Sequence, residues 1–156
     1  MSPDVEYLTK EKYEALKLEL KDLKTDKRSE IASDLEFAKS MGDLSENAEY
    51  HQAREAQAAL EDRISQIENL LKNAEIISSK KSNTVDIGAK IKVKRTDTGT
   101  IKEYQLVGSE EADMSIGKIS NRSPLGESLY GKKKGDKASF VAPSGNTITY
   151  EVVSVS

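Results

Sequence analysis

Ala53, Ala56, Leu60, Ile64, Ile67, Leu71 and Ala74 follow one another at intervals of three and four residues, the repeat of one apolar stripe along an α-helix. Run from Leu44 to about Glu75, such a helix would extend roughly 48 Å at about 1.5 Å per residue, longer than a small domain is wide. A chain of 156 residues cannot wrap that length in its own core, so a second helix has to cover the stripe. The partner precedes it in sequence. Thr9 is placed to cap a helix in which Tyr13, Leu16, Leu20 and Leu23 are spaced as in a coiled-coil seam, and Ile31, Leu35 and Ala38 resume the pattern. The polar run Thr25-Asp26-Lys27-Arg28-Ser29-Glu30 between them predicts a kink or break near Lys27. With only a short connection at Met41-Gly42, the two stripes form an antiparallel helical hairpin whose far end is that connection. Toward it the seam thins to Ala38, Ala48, Ala53 and Ala56, which keeps the hairpin slender and suited to insertion.

The second half has a different grammar. Eight of the nine glycines lie beyond residue 80. Short alternating runs, Ala89-Lys90-Ile91-Lys92-Val93-Lys94, Glu103-Tyr104-Gln105-Leu106-Val107 and Thr147-Ile148-Thr149-Tyr150-Glu151-Val152-Val153, read as half-buried strands. Turns at Asp97-Thr98-Gly99 and Pro143-Ser144-Gly145-Asn146 would join antiparallel neighbours, and Ser123-Pro124-Leu125-Gly126-Glu127-Ser128-Leu129-Tyr130 fits one short helix. Polar, aperiodic residues 78–84 form the natural linker. The expected fold is therefore α+β in two domains: a coiled-coil hairpin over 1–79 with an acidic tip near 41–50, and a small antiparallel β-sheet domain with a short helix over 80–156.

Charge divides at the same place, with 12 basic and 18 acidic residues over 1–80 against 12 and 9 over 81–156. The net charge of −3 argues against independent binding of duplex nucleic acid, which needs many phosphate contacts. The absence of cysteine excludes a disulfide framework, a thiolate zinc site and a cysteine nucleophile. No apolar run approaches the roughly 20 residues that span a bilayer, so no membrane association is expected and the chain reads as cytosolic.

The chemistry concentrates at the hairpin connection. Asp43, Glu46 and Glu49 stand three residues apart in Gly42-Asp43-Leu44-Ser45-Glu46-Asn47-Ala48-Glu49-Tyr50-His51. In one reading Asp43 and Glu46 are a capping box on the opening turn of the second helix, where the helix dipole favours acids. In the other they are two carboxylates at a protruding tip that hold a hard cation. Mg²⁺ takes one or two carboxylates and shares its other positions with water and substrate phosphates. A bare tip has no wall to exclude water, so such a pair would be a part donated to a partner's active site. Too few ligands converge for the isolated protein to bind Mg²⁺ by itself. His51 is the only histidine, and with no cysteine it is a poor candidate ligand.

That tip segment, continued by Ala53-Arg54-Glu55, resembles the signature of the bacterial Gre transcript-cleavage factors. The second half is similar to the family in order and spacing, through Val107-Gly108, Glu111-Ala112-Asp113, Ile119-Ser120, Ser123-Pro124-Leu125-Gly126 and Leu129-Tyr130-Gly131-Lys132. The acidic balance looks more like the A type than the B type. The resemblance implies an FKBP-like second domain and a coiled coil that enters the secondary channel of bacterial RNA polymerase. It implies that Asp43 and Glu46 act as the catalytic carboxylates on a Mg²⁺ shared with the polymerase active site, so that the polymerase itself cuts the extruded 3′ end of backtracked RNA. It further implies that Asn47, Glu49 and Tyr50 position water, RNA or polymerase loops, that Arg54 and Lys39 contact RNA, and that Ser123 and Pro124 lie in the loop that docks on the polymerase. Each assignment has a plainer alternative. Tyr50 equally suits packing, Arg54 and Lys39 equally suit charge balance on an acidic hairpin, and Lys132-Lys133-Lys134 is either a docking aid or a solvated turn. Arg122 stands before Ser123 where the family often has acidic or amide residues. A channel-binding regulator without cleavage activity and a coiled-coil chaperone or peptidyl-prolyl isomerase are the competing functions. The second half offers only Tyr104, Tyr130, Tyr150 and Phe140 to line a proline pocket.

Overall fold

The computed structural model describes residues 5–43, 46–78 and 82–156. Leu44 and Ser45 of the tip signature and Ser79, Lys80 and Lys81 of the linker lie outside the described residues. The chain divides into two compact units, one over Glu11–Asn73 and one formed by the residues up to Lys10 together with those from Ala74 onward.

The first unit is the helical hairpin. Helix α1 spans Lys10–Asp22, α2 spans Arg28–Ser40 and α3 spans Ala48–Lys72. Its seam buries Leu16, Leu35, Ala38, Ala53, Leu60, Ile64, Ile67 and Leu70. Each fully buried leucine or isoleucine contributes roughly 1.5–3 kcal/mol against the unfolded chain. Opposed charges flank it: Arg28 grips Glu61 through two bonds of 2.9 Å, and Lys24 reaches Glu68 at 2.7 Å. The guanidinium holds the Glu61 carboxyl below its usual range.

Of the kink or break expected near Lys27, a break is absent, but the helix is irregular at that place. The chain stays helical through Leu23–Lys27 as a single π turn, in which the Arg28 N–H reaches back five residues to the Leu23 carbonyl. Sequence spacing explains the device. Leu23 to Ile31 is eight residues where the seam wants seven, and a π turn absorbs one extra residue without turning the stripe away from its partner. The Thr25 hydroxyl donates to the Lys21 carbonyl at 2.7 Å and satisfies one acceptor in the altered ladder.

The second unit holds a five-stranded sheet. Its strands are β3 (Lys90–Arg95), β4 (Ile101–Val107), β5 (Lys118–Ser120), β6 (Lys137–Val141) and β7 (Thr147–Val155), in the order β5-β4-β3-β7-β6. Antiparallel pairing links β4, β3, β7 and β6; the alternating runs predict β3, β4 and β7 but assign neither β6 nor β5, and β4 and β5 run parallel. Parallel neighbours need a crossover, supplied here by two 3₁₀ turns at Ser109–Glu111 and Met114–Ile116. The inner face packs Ile91, Val93, Leu106, Ile119, Val152 and Tyr150 against Leu125 and Leu129 of the short helix α4, Pro124–Leu129.

Two three-residue strands had no sequence signal. β1 (Glu6–Leu8) and β2 (Ala74–Ile76) pair in parallel, with Leu8 fully buried. They sit at the two ends of the segment assigned to the hairpin domain over 1–79, yet the structure counts both with the sheet unit. Arg122 accounts for part of this. Its guanidinium lies 3.1 Å from Glu6 and donates to the Val5 carbonyl at 3.1 Å, so the side chain that precedes Ser123 binds the N-terminal segment. The Glu111 carboxylate accepts from both the Thr9 N–H, at 2.9 Å, and the Thr9 hydroxyl, at 2.8 Å. Gly108 passes so close to the Tyr7 carbonyl that any Cβ there would overlap it.

Candidate functional site at the hairpin tip

Helix α2 ends where its sequence says it must. Met41 is still right-handed, and Gly42 takes φ +121, a conformation that favours glycine. From there Asp43 and Glu46 lie in the connecting segment, outside both helices and exposed. Helix α3 starts only at Ala48, with Asn47 as its N-cap.

The expected start at Leu44, and with it the Asp43/Glu46 capping box, is therefore corrected. Asn47 takes the cap because it does two jobs at once. In an extended conformation its Oδ1 accepts from the Tyr50 N–H at 3.0 Å, while its Nδ2 donates to the Ala38 carbonyl at 2.6 Å in the last turn of α2. One side chain thus stops the first helix, starts the second and ties them together. An aspartate cap has no donor for the second bond. The later start also shortens the long helix, whose 25 residues extend roughly 37 Å.

The other candidates fall around this fastening. Glu49 is exposed in the first turn of α3. Tyr50 is half-buried, its ring 5.8 Å from that of His51 in an edge-on arrangement. Lys39 is exposed in the last turn of α2, and Arg54 is exposed on α3, where it donates to Gln57 at 3.3 Å. Among the described residues no three of His, Asp and Glu form a group able to hold a metal. Two exposed carboxylates suit a hard cation whose remaining positions come from elsewhere.

Ser123 and Pro124 lie in the sheet unit. Ser123 caps α4, accepting from the Gly126 N–H at 3.0 Å and donating to the Ser120 carbonyl at 2.7 Å, with exposed Pro124 in the first turn. Gly126 is buried where a Cβ would overlap the Ser120 carbonyl, which holds this loop against β5. The lysine cluster forms a turn closed by Asp136, which accepts from the Lys133 N–H at 2.9 Å, with Lys133 and Lys134 exposed. Three of the four aromatic residues available for a proline pocket are used in packing, and Tyr130 is exposed. Tyr104 and Tyr150 are buried edge to face, and Phe140 stacks on Tyr150 at 6.1 Å. No sequence signal identified Asn47 as the fastening, since its partner at Ala38 is a backbone atom.

Residues 6–76 match the family model for the N-terminal domain of transcription elongation factors, and residues 80–156 match the GreA/GreB C-terminal model. A long hairpin and a small sheet domain together thus define a two-domain transcription elongation factor. The chain is 45% identical over 154 residues to transcription elongation factor GreA of Amoebophilus asiaticus, covering 97% of this chain and 98% of that one. It is 47% identical over 152 residues to the GreA of Chlorobaculum tepidum, covering 96% and 95%. Among solved structures, GreA factor homolog 1 of Thermus thermophilus is similar at 26% identity and a TM-score of 0.45, covering 97% and 99%. The chain belongs to the GreA/GreB family of transcription elongation factors. No helix among the described residues is long and apolar enough to cross a membrane.

Proposed function

We propose that the hairpin enters the secondary channel of bacterial RNA polymerase in the cytoplasm and stimulates the polymerase's own endonucleolytic cleavage of the 3′ end of backtracked RNA, rescuing arrested complexes. The observation that carries this reading is the pair of exposed carboxylates, Asp43 and Glu46, at a tip fastened by Asn47. A pair with no surrounding wall is suited to completing another active site, and the chain acts as an activator with no catalytic centre of its own.

Asp43 and Glu46 would hold a Mg²⁺ shared with the polymerase, which supplies charge neutralisation and an activated water for phosphodiester hydrolysis. Their part is to orient that water and accept hydrogen bonds from it. Asn47 keeps both acids at the apex, Glu49 and Tyr50 border them, and the cationic side chains of Lys39 and Arg54 bind phosphates of the extruded strand. Water attack breaks the phosphorus–oxygen bond to the upstream nucleotide and leaves a 3′-hydroxyl ready for extension. Ser123 and Pro124 present a rigid capped turn for docking.

The test uses stalled, backtracked elongation complexes with Mg²⁺. Wild type should release short 3′-terminal RNA fragments, and Asp43→Ala and Glu46→Ala should abolish stimulation while polymerase binding persists. Binding without cleavage by wild type would favour the non-cleaving regulator, and neither binding nor cleavage would refute the reading altogether.

A further inference from the structure

Phe37 is 64% exposed on α2. It borders a groove of about 400 Å³ lined by Asp34, Phe37, Glu49, Gln52, Ala53 and Ala56. The floor is apolar alanine, one wall is aromatic, and the charged groups are two carboxylates. That chemistry repels phosphate. Lys39 and Arg54 each follow a lining residue, Phe37 or Gln52, by two positions, which at about 100° per residue turns them to the opposite flank of their helices. The hairpin thus carries cations on one side and an aromatic, acidic groove on the other.

We infer that this groove receives an arginine side chain projected by the protein wall of the channel that the hairpin enters, an inference that rests on the function proposed above. A guanidinium matches each part of the groove. Its face stacks on Phe37, its N–H fork pairs with the Asp34 and Glu49 carboxylates, and its methylene stem lies along Ala53 and Ala56. Lysine satisfies the charge but lacks the planar fork and stacking face. The arrangement separates duties. RNA follows the Lys39 and Arg54 side, and protein grips the Phe37 side, which sets the rotation of the hairpin about its own axis within the channel.

The test measures affinity of the full chain for core RNA polymerase alongside cleavage at saturating factor. Phe37→Ala should weaken binding about fivefold to tenfold. Phe37→Tyr, which keeps the aromatic face, should stay within about twofold of wild type. Asp34→Asn should weaken binding while leaving the saturated cleavage rate unchanged, and circular dichroism should show all three folded as wild type. A photoreactive benzoyl-phenylalanine in place of Phe37 should cross-link to an arginine-bearing polymerase peptide. Unchanged affinity of Phe37→Ala, or cross-linking to RNA, overturns the groove assignment while leaving the cleavage function intact. A wild-type chain that does not bind polymerase overturns both.

Discussion

Replacing Asn47 with alanine should loosen the tip more than any other single change there, because it removes two interactions of different kinds. Loss of the cap on the Tyr50 N–H costs about 1 kcal/mol. The Ala38 carbonyl loses its 2.6 Å donor, at a cost of about 1 kcal/mol more. Together these remove about 2 kcal/mol from the Glu11–Asn73 unit, which for a unit of that size lowers its melting temperature by roughly 8–15 °C. Far-ultraviolet circular dichroism follows this unit selectively, since most of the helix lies in it. Asn47→Asp separates the contributions: it keeps the acceptor for Tyr50 and loses the donor to Ala38, so about half the loss is expected. Asp43→Ala should lower stability less than Asn47→Ala, because Asn47 is the residue that caps α3. The reasoning is refuted if Asn47→Ala melts with wild type, or if Asp43→Ala melts as low as Asn47→Ala.

Other contacts give shorter tests. Arg122→Ala should destabilise the sheet unit by about 1 kcal/mol in urea, after allowing for an ion pair that is 42% exposed on the arginine side and 20% on the glutamate side, and Glu6→Gln in the same background should add little further. Gly126→Ala should cost roughly 1–3 kcal/mol, since its Cβ meets the Ser120 carbonyl and β5 must shift; a wild-type unfolding midpoint would contradict that close approach. Burial, the bond with the Tyr150 hydroxyl and its field push the Tyr104 phenol from 10.0 up to about 12. The folded state therefore keeps a proton that the unfolded chain gives up, and stability fully present below pH 10 should fall as pH rises toward about 12. Tyr104→Phe should flatten that part of the stability profile, and its ultraviolet titration should show one late-ionising tyrosine fewer than wild type.

Local periodicity alone determined the hairpin, most strands of the sheet, the glycine turns and the short helix, because each is written in residues close together in the chain. Even the π turn leaves a trace in the step of eight from Leu23 to Ile31. The polar run there nevertheless reads as a break, since nothing local says that α3 will hold the stripe on both sides of it in line. Tertiary structure decided the rest. β1 and β2 are three residues each and owe their existence to pairing across the whole hairpin, to Arg122 on Glu6 and to Glu111 on Thr9. The parallel placement of β5 depends on a crossover rather than on its own pattern. At the tip, the acids were legible as chemistry while the cap was not: Asp43 and Asn47 both suit a helix start, and the choice fell to Asn47 because only an amide both accepts from its own helix and donates to the neighbouring one. Propensity acts along the chain, whereas a bond to the Ala38 carbonyl exists only after the two helices have met.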